Sequence, residues 1–575
     1  MVHQYKLNGY NIVIDVNSGS IHLVDDVAYD VIQIFCAEIE KIESSHGKEN
    51  AELDFKNEMH IENSAGRVGN PNEVSHTNGL SQREVSDLRS RVFDLARKKL
   101  LNRSNLQESV TIQETDETFK KISIAKQIAS EELSEYEGRC VTNSDSATNE
   151  IKDIALNSDE KCDEIKNIPT DEELNQLIDD LFALYDAGKL CSHDLHDEPL
   201  FIQRNSIKKD EHVVKALCLH VAHACDLTCS YCFAGQGKFK GESAIMSAET
   251  AKRAIDFLIE NSGDRRNLEV DFFGGEPLLN FDVVKETVAY AREIEKQNGK
   301  NFRFTLTTNG TGLTDEIIDF ANREMHNVVL SLDGRKEIHD RERKTHDGKG
   351  SYDVSVPNFQ KLVKKRGNKN YYMRGTFTHY NPDFLKDIDH MLSLGFSELS
   401  MEPVVCDKDS RFHLSEQDLS VVLTEYEKLT ELMLRRYKEG REFTFYHYML
   451  DLKGGPCIYK RISGCGSGSE YFAVTPTGEL YPCHQFVGDK KYLMGNIYDG
   501  IKNSDLMEDF ERCNIYSKGE CRECWARLYC SGGCAANAYH DSGDINGIYE
   551  DGCTLFKKRM ECAIMYQIAK ENEGM

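Results

Sequence analysis

Residues 216–232 read Ala-Leu-Cys-Leu-His-Val-Ala-His-Ala-Cys-Asp-Leu-Thr-Cys-Ser-Tyr-Cys. An apolar run, Ala216–Val221, leads into Cys225, Cys229 and Cys232, a C-x3-C-x2-C triplet. Thiolate sulfur is a soft ligand that suits iron–sulfur clusters. Three thiolates at this spacing can hold three irons of a [4Fe–4S] cluster and leave the fourth open to a small molecule. A structural zinc knuckle is the alternative use of such a triplet, but the sequence downstream does not read as a zinc domain.

The chain has 575 residues, enough for three or four domains at about 150 residues each. Its nineteen cysteines are too many for an ordinary cytosolic enzyme. A disulfide framework belongs to small secreted domains, and this chain is large. It opens Met-Val-His-Gln-Tyr-Lys, without a basic segment followed by an apolar one. No apolar stretch approaches the ~18 residues of a membrane span. The expectation is a soluble cytoplasmic protein whose cysteines bind metal, with air-sensitive clusters that suit an anaerobe. A net charge of −27 argues against nucleic acid as a partner, since a phosphate-binding surface needs a basic patch.

Residues 2–36 read as a small folded start. Ile12–Ile14 and Ile21–Val24 are β-rich runs separated by the turn signal Asn17-Ser18-Gly19. Asp25 or Asp26 can cap a short helix carrying Val27, Val31, Ile32 and Phe35. From about Glu38 to Ile168 the chain is polar and poor in aromatics, a composition that cannot offset its ordering entropy. We read it as an insertion, mostly disordered, with weak helical periodicity over Ser81–Leu101 (Val85, Leu88, Val92, Leu95). Order resumes at Thr170, which forms a capping box with Glu173. Leu174, Leu177, Ile178, Leu181, Leu184 and Tyr185 follow at helical spacing, and Gly188 supplies a stop.

Residues 213–405 alternate strand and helix. Strands are expected at 214–222, 267–273, 302–308, 327–332, 371–378 and 398–405. Amphipathic stretches such as Ser247–Ile259, Phe281–Lys296 and Asp315–Asn322 lie between them. Repeated β–α units imply a parallel sheet. Asp271-Phe272-Phe273-Gly274-Gly275-Glu276-Pro277 ends the second strand, Thr307-Thr308-Asn309-Gly310 the third and Ser331-Leu332-Asp333-Gly334 the fourth, with Arg343 shortly after. Glycines let the backbone approach a ligand closely, Glu276 can accept from a charged amino group, and a guanidinium can grip a carboxylate bidentately. Taken singly, such motifs are strand-end turns and a solvated arginine. Residues 415–438 form one long bridging helix. Beyond it lies a cysteine-rich, irregular region: Cys465, then Gly478 and Cys483, then Cys521-x2-Cys524-x5-Cys530-x3-Cys534, and Cys553.

The triplet, with Tyr231 before its third cysteine, resembles the signature of radical S-adenosylmethionine (radical SAM) enzymes, and Gly-Gly-Glu-Pro one β–α unit later strengthens the likeness. The resemblance implies an α/β fold with a partial (β/α)6 barrel. It also implies a cluster on Cys225, Cys229 and Cys232 that cleaves SAM to a 5′-deoxyadenosyl radical when reduced. Gly274, Gly275 and Glu276 would bind the SAM amine, Ser331 and Arg343 its carboxylate, and Tyr231 would lie near the adenine. The late cysteine run resembles the SPASM domain with two auxiliary clusters, making three [4Fe–4S] clusters in all. Carried over, Cys521, Cys524, Cys530 and Cys553 hold the outer cluster. Cys465, Cys483 and Cys534 hold the inner one, with Cys457 a candidate fourth ligand or that iron left open. Cys513 and Cys562 sit outside the pattern. Cys36, Cys140, Cys162, Cys191, Cys218 and Cys406 read as incidental.

The hairpin and helices of residues 2–36 and 170–195 together resemble the winged-helix-like peptide-binding element of ribosomal-peptide modifying enzymes, which adds a leader peptide as an extra strand. The domain reading is therefore 1–200 for peptide recognition, interrupted at about 38–168; 201–410 for the radical SAM core; 411–450 for the bridge; and 451–575 for SPASM. The combination looks like the thioether-forming maturases of SCIFF peptides, small precursors carrying six cysteines. It implies an enzyme joining Cys to a carbon of another residue, plausibly Thr, in a Cys-rich precursor peptide, with an electron donor such as flavodoxin or ferredoxin and no nucleic-acid or membrane partner. A formylglycine-generating or other peptide-oxidising SPASM enzyme is the rival. However, the Asp that follows the cysteine matching Cys483 in sulfatase-maturing enzymes is replaced here by His484. A non-enzymatic multicluster electron carrier is the rival from another class.

Overall fold

The computed structural model describes residues 1–58, 80–103, 168–194, 213–452 and 458–573. These residues form two compact units, Met1–Asp194 and Leu195–Met575.

The first unit opens with an antiparallel meander, β1 (Val2–Leu7), β2 (Tyr10–Asp15) and β3 (Ile21–Val24), in the order β1-β2-β3. Asn8 and Gly9, with φ of 48° and 79°, make the tight β1–β2 turn, a conformation that Asn and Gly adopt at least cost. Asp25 caps the first helix, its Oδ1 accepting from the Ala28 N–H at 2.7 Å. That helix does not stop near Glu38 but runs Asp26–Glu58, and Ile39 is fully within the core.

The 38–168 segment is also broken by a second helix over residues 82–103. Leu88, Val92, Ala96 and Leu100 are buried in one cluster with Phe35, Leu174, Ile178 and Tyr185, whereas Leu95 faces solvent. The expectation of a mostly disordered insertion is therefore corrected over these residues; 59–79 and 104–167, with Cys140 and Cys162, lie outside the described residues. Ser81 and Glu84 supply a capping box that the composition hides: the Ser81 N–H donates to the Glu84 carboxylate at 2.7 Å and the Glu84 N–H to Ser81 Oγ at 3.3 Å. The helix's cations pair inward, Arg91 with Glu38 at 3.2 Å and Arg103 with Asp30 at 2.7 Å. A third helix, Asp171–Asp186, carries the Thr170–Glu173 capping box.

The second unit is built on an eleven-stranded sheet. Its centre is six parallel strands, β4 (Ala216–Ala222), β5 (Asn267–Gly274), β6 (Asn301–Thr308), β7 (Asn327–Ser331), β8 (Tyr371–Phe377) and β9 (Glu398–Pro403). Helices Ala248–Glu260, Phe281–Ile294, Asp315–Glu324, Tyr352–Arg366 and Leu385–Ser393 connect or follow them. β4 is buried along its whole length, as a near-continuous apolar run in a parallel sheet should be. β10 (Thr444–Phe445) extends the sheet beyond β9.

The cysteine-rich end is less irregular than its sequence suggests. β11 (Tyr471–Val474) pairs parallel with β4, and β12 (Glu479–Tyr481), β13 (Gly495–Asn496) and β14 (Gly500–Ile501) continue antiparallel from it. The sheet thereby joins the barrel strand that precedes the cysteine triplet to the hairpin that precedes Cys483. A closing helix, Glu550–Glu573, packs on the bridging helix Glu416–Lys438, with Lys558 paired to Glu427 at 2.8 Å. Among the described residues no helix is long and apolar enough to cross a membrane.

Candidate active site

The C-terminal ends of the parallel strands gather the residues singled out from the sequence, as strand ends in open α/β sheets commonly do. The triplet loop leaves β4 and is stapled to the segment after the helix Lys336–Glu342. The Thr228 N–H donates to Lys344 O at 2.6 Å and the Ser230 N–H to Glu342 O at 3.2 Å. That staple carries Arg343 to Tyr231, with the guanidinium carbon 5.6 Å from the ring centre.

The Gly-Gly-Glu-Pro turn lies against the approach to the triplet. The Gly275 N–H donates to Ala222 O and the Glu276 N–H to Ala224 O, both at 2.8 Å. A Cβ on Gly274 would stand 2.3 Å from Ala222 O, and one on Gly275 would stand 2.1 Å from Ala224 O. The glycines are needed first for this close passage of the chain against itself.

Cys225, Cys229, Cys232, Tyr231, Gly274, Gly275, Glu276, Ser331 and Arg343 all line one cavity of about 340 Å³, together with Thr307, Thr308 and Asn309. Burial pushes the Cys225 thiol well up and the Cys229 thiol up to about 11, the latter opposed by Arg343. These are thiols that a metal must deprotonate. Glu276 is buried and pushed up to about 7, although the Asn309 and Leu278 N–H groups and the Thr308 hydroxyl donate to it.

Arg343 is not free. Its Nε donates to Asp333 Oδ2 at 2.9 Å and its Nη2 to Asp333 Oδ1 at 3.0 Å. The Tyr231 hydroxyl donates to Asp333 Oδ2 at 2.6 Å and the Thr376 N–H to Oδ1 at 3.0 Å. Burial works to raise the Asp333 carboxyl, but Arg343, with His339 and the Tyr231 hydroxyl, outweighs it and the net shift is downward.

Sequence reading missed Asp333, although it sits inside a quoted motif, and three residues that line the cavity. Arg374, midway along β8, and Glu402, near the end of β9, pair at 3.0 Å. Burial would raise Glu402, yet Arg374, His447 and Arg559 bring it down to about 2. His484 also lines the cavity, its ring 5.4 Å from Phe233 and 5.1 Å from Phe273.

A second cavity of about 620 Å³ is lined by Cys521, Cys524, Cys530 and Cys553, with Cys465 and Cys534. Cys483 is buried within electrostatic reach of Cys534 and Cys465, and burial pushes it up to about 12. Cys534 lines both cavities, and Glu402, Pro403 and Asn537 share the wall with it. Cys457 lies outside the described residues. Cys513, outside the sequence pattern, lines a cavity of about 30 Å³ with Cys465. Among the described residues, no three His, Cys, Asp or Glu side chains meet closely enough to enclose one bare ion. A cluster several ångströms across does not require that, and all-sulfur donor sets fit it.

The radical SAM superfamily model matches residues 219–392, and the model of the SPASM iron–sulfur cluster-binding domain matches residues 465–525. The chain is 22% identical over 413 residues to the radical SAM cyclopropyl synthase TigE of Paramaledivibacter caminithermalis, covering 68% of this chain and 82% of that one. It is 27% identical over 359 residues to the cysteine-type anaerobic sulfatase-maturating enzyme of Clostridium novyi, covering 59% and 91%. The solved structure of native anSMEcpe with bound AdoMet superposes with a TM-score of 0.54 at 22% identity, over 63% of this chain and all of that one, a likeness of fold. A radical SAM domain works with SAM and a [4Fe–4S] cluster, and a SPASM domain binds further iron–sulfur clusters. The chain thus carries a radical SAM domain followed by a SPASM domain, homologous to those of anaerobic sulfatase-maturating enzymes and TigE.

Proposed function

We propose that the protein is a radical SAM peptide maturase that joins a Cys sulfur to a carbon of another residue within a Cys-rich, ribosomally made precursor. The observation that carries this reading is Cys534, whose side of the wall faces both the triplet cavity and the cavity of the late cysteines. A peptide in the first cavity can reach both chemistries.

In this reading Cys225, Cys229 and Cys232 hold the first of three [4Fe–4S] clusters. Cys465, Cys483 and Cys534 hold the inner auxiliary cluster, with Cys457 as candidate fourth ligand, and Cys521, Cys524, Cys530 and Cys553 hold the outer one. Glu276 receives the SAM amine, Ser331 and the edge of Arg343 left free by Asp333 receive its carboxylate, and Tyr231 flanks the adenine. When bound, SAM and its cluster supply a radical able to take a hydrogen atom from a peptide C–H bond; the cofactors carry the hard chemistry. The chain's own part is to hold the reactants together and exclude water, with Phe233, Phe273, Pro403 and Val404 on the cavity wall.

The leader would add as a strand to an edge of the β1-β2-β3 sheet, an electron donor such as flavodoxin or ferredoxin would supply reducing equivalents, and the enzyme would work in the cytoplasm.

The test is anaerobic turnover with SAM, reductant and Cys-rich precursor peptides. Thioether formation lowers the peptide mass by two hydrogens and keeps the sulfur. One hydrogen leaves as an atom, the other as a proton and an electron. The similarity to cysteine-type sulfatase-maturating enzymes favours a second reading, oxidation of a peptidyl Cys, in which the product loses sulfur. An unmodified peptide without 5′-deoxyadenosine would point to an electron carrier.

A further inference from the structure

Two cysteines outside every cluster set meet in the first unit. Cys36 stands on the helix Asp26–Glu58 and Cys191 follows the helix Asp171–Asp186, 155 positions later, yet their Sγ atoms are 2.8 Å apart. That is closer than two non-bonded sulfurs ordinarily sit. Both flanks are held independently of the sulfurs. On one side the Ser192 N–H donates to Asp15 Oδ2 at 2.9 Å, Asn17 Nδ2 to Ser192 O at 2.6 Å, and His22 Nε2 to Lys189 O at 2.9 Å. These bonds tie the Cys191 segment to β2, β3 and the turn between them. On the other side Phe35, next to Cys36, packs edge-on to Phe182 at 5.1 Å and Tyr185 at 6.2 Å. The pair therefore rests on a braced scaffold. Both are free cysteines, and contact with Cys36 together with burial pushes the Cys191 thiol well up.

We propose that Cys36 and Cys191 are an oxidisable pair that closes to a disulfide when the cell meets a low-molecular-weight disulfide, independently of the cluster chemistry. Cys36 is half-buried and Cys191 buried, so Cys36 attacks first. Its thiolate displaces one thiol from the oxidant to give a mixed disulfide, and Cys191 then displaces the second. Two protein thiols become one S–S bond, and one small disulfide becomes two small thiols. The closed bond ties the first helix to the strand-bound segment across the whole insertion, so the small sheet no longer relies on that segment's packing. Intracellular disulfides that form under oxidation are commonly of this sensing kind.

The test uses the full-length, cluster-loaded chain under anaerobic conditions with glutathione disulfide. Samples are taken over time, alkylated under denaturing conditions and digested for mass spectrometry. The expected first product is a linked pair of peptides carrying Cys36 and Cys191, two hydrogens lighter than their sum and restored by phosphine. It is lost in Cys36→Ser and, separately, in Cys191→Ala. Recovery of both residues as alkylated thiols after full treatment, or of Cys36 as a lasting glutathione adduct, would overturn the proposal. The wild-type chain alone decides it, so a variant that misfolds does not matter.

Discussion

Asp333 grips Arg343 through two parallel hydrogen bonds, Nε to Oδ2 at 2.9 Å and Nη2 to Oδ1 at 3.0 Å, the carboxylate buried behind the arginine that lines the cavity. The same carboxylate takes the Tyr231 hydroxyl. Asp333 thus fixes the orientation of two side chains expected to meet SAM.

Removing that charge leaves a buried guanidinium uncompensated, the costly half of a buried ion pair. Hydrogen bonds to charged groups contribute about 1.5–3 kcal/mol. Asp333→Asn, which keeps the shape, is therefore expected to weaken SAM binding about 10- to 100-fold. Equilibrium dialysis against the cluster-loaded protein measures it, and unchanged affinity would remove Asp333 from a positioning role.

If Glu276 receives the SAM ammonium as proposed, it gives SAM binding a pH dependence. Burial, against hydrogen bonds from Asn309, Thr308 and Leu278 and with the Asp226 charge adding to it, holds Glu276 at about 7. The ammonium of SAM needs the carboxylate. Below about pH 7 binding must expel a proton, so affinity drops by up to about tenfold per pH unit; above it the dependence flattens. The sign for stability is opposite. A raised carboxyl pKa favours the folded state at low pH, and that advantage is lost as pH rises from about 4.5 through about 7. Glu276→Gln should bind SAM weakly at every pH with a flat profile over pH 6–8.5, and a persisting slope would place the titration elsewhere.

The helix over residues 82–103 makes a separate prediction about the first unit. Leu88 and Val92 are fully buried against Phe35, Leu174 and Ile178. Leu88→Ala should cost about 2–5 kcal/mol of that unit's stability and Leu95→Ala almost nothing, since Leu95 is 42% exposed. Thermal unfolding of the two variants separates a packed helix from a tolerated insertion; equal melting would sink the packing.

What the sequence revealed and concealed follows from how local each signal is. The six parallel strands were legible because each is a short apolar run ended by its own turn, and the triplet because cluster spacing is written in consecutive residues. The helix over 82–103 shows in the sequence only as the weak periodicity of Ser81–Leu101, because it buries few apolar side chains and its charges look like solvent-facing composition. They are in fact paired with Glu38 and Asp30 on another helix. β11 against β4 joins residues some 255 positions apart, Tyr471 to Ala216, and no local pattern announces that. Asp333 was hidden differently. Its motif is plain in the sequence, but its simultaneous grip on Arg343 and Tyr231 exists only in three dimensions.

The last prediction concerns the wall shared by the two cavities. Cys534 lines both, and Cys483 is buried within electrostatic reach of Cys534 and Cys465. If these three thiolates leave one position of the inner auxiliary cluster for the substrate sulfur, the substrate thiol would be held deprotonated beside the carbon that loses hydrogen, gaining effective concentration. Cys483→Ala should then stop thioether formation while 5′-deoxyadenosine still forms, because the triplet is untouched. Cys457→Ala should keep part of the thioether activity. Peptide mass spectrometry beside chromatography of 5′-deoxyadenosine reads both, with iron content as the control for cluster loss. Full product from the Cys483 variant would rule out the inner cluster as the sulfur's anchor. Complete loss in the Cys457 variant, together with loss of about four of the twelve irons, would instead make Cys457 the structural fourth ligand and leave the substrate sulfur without a metal to bind.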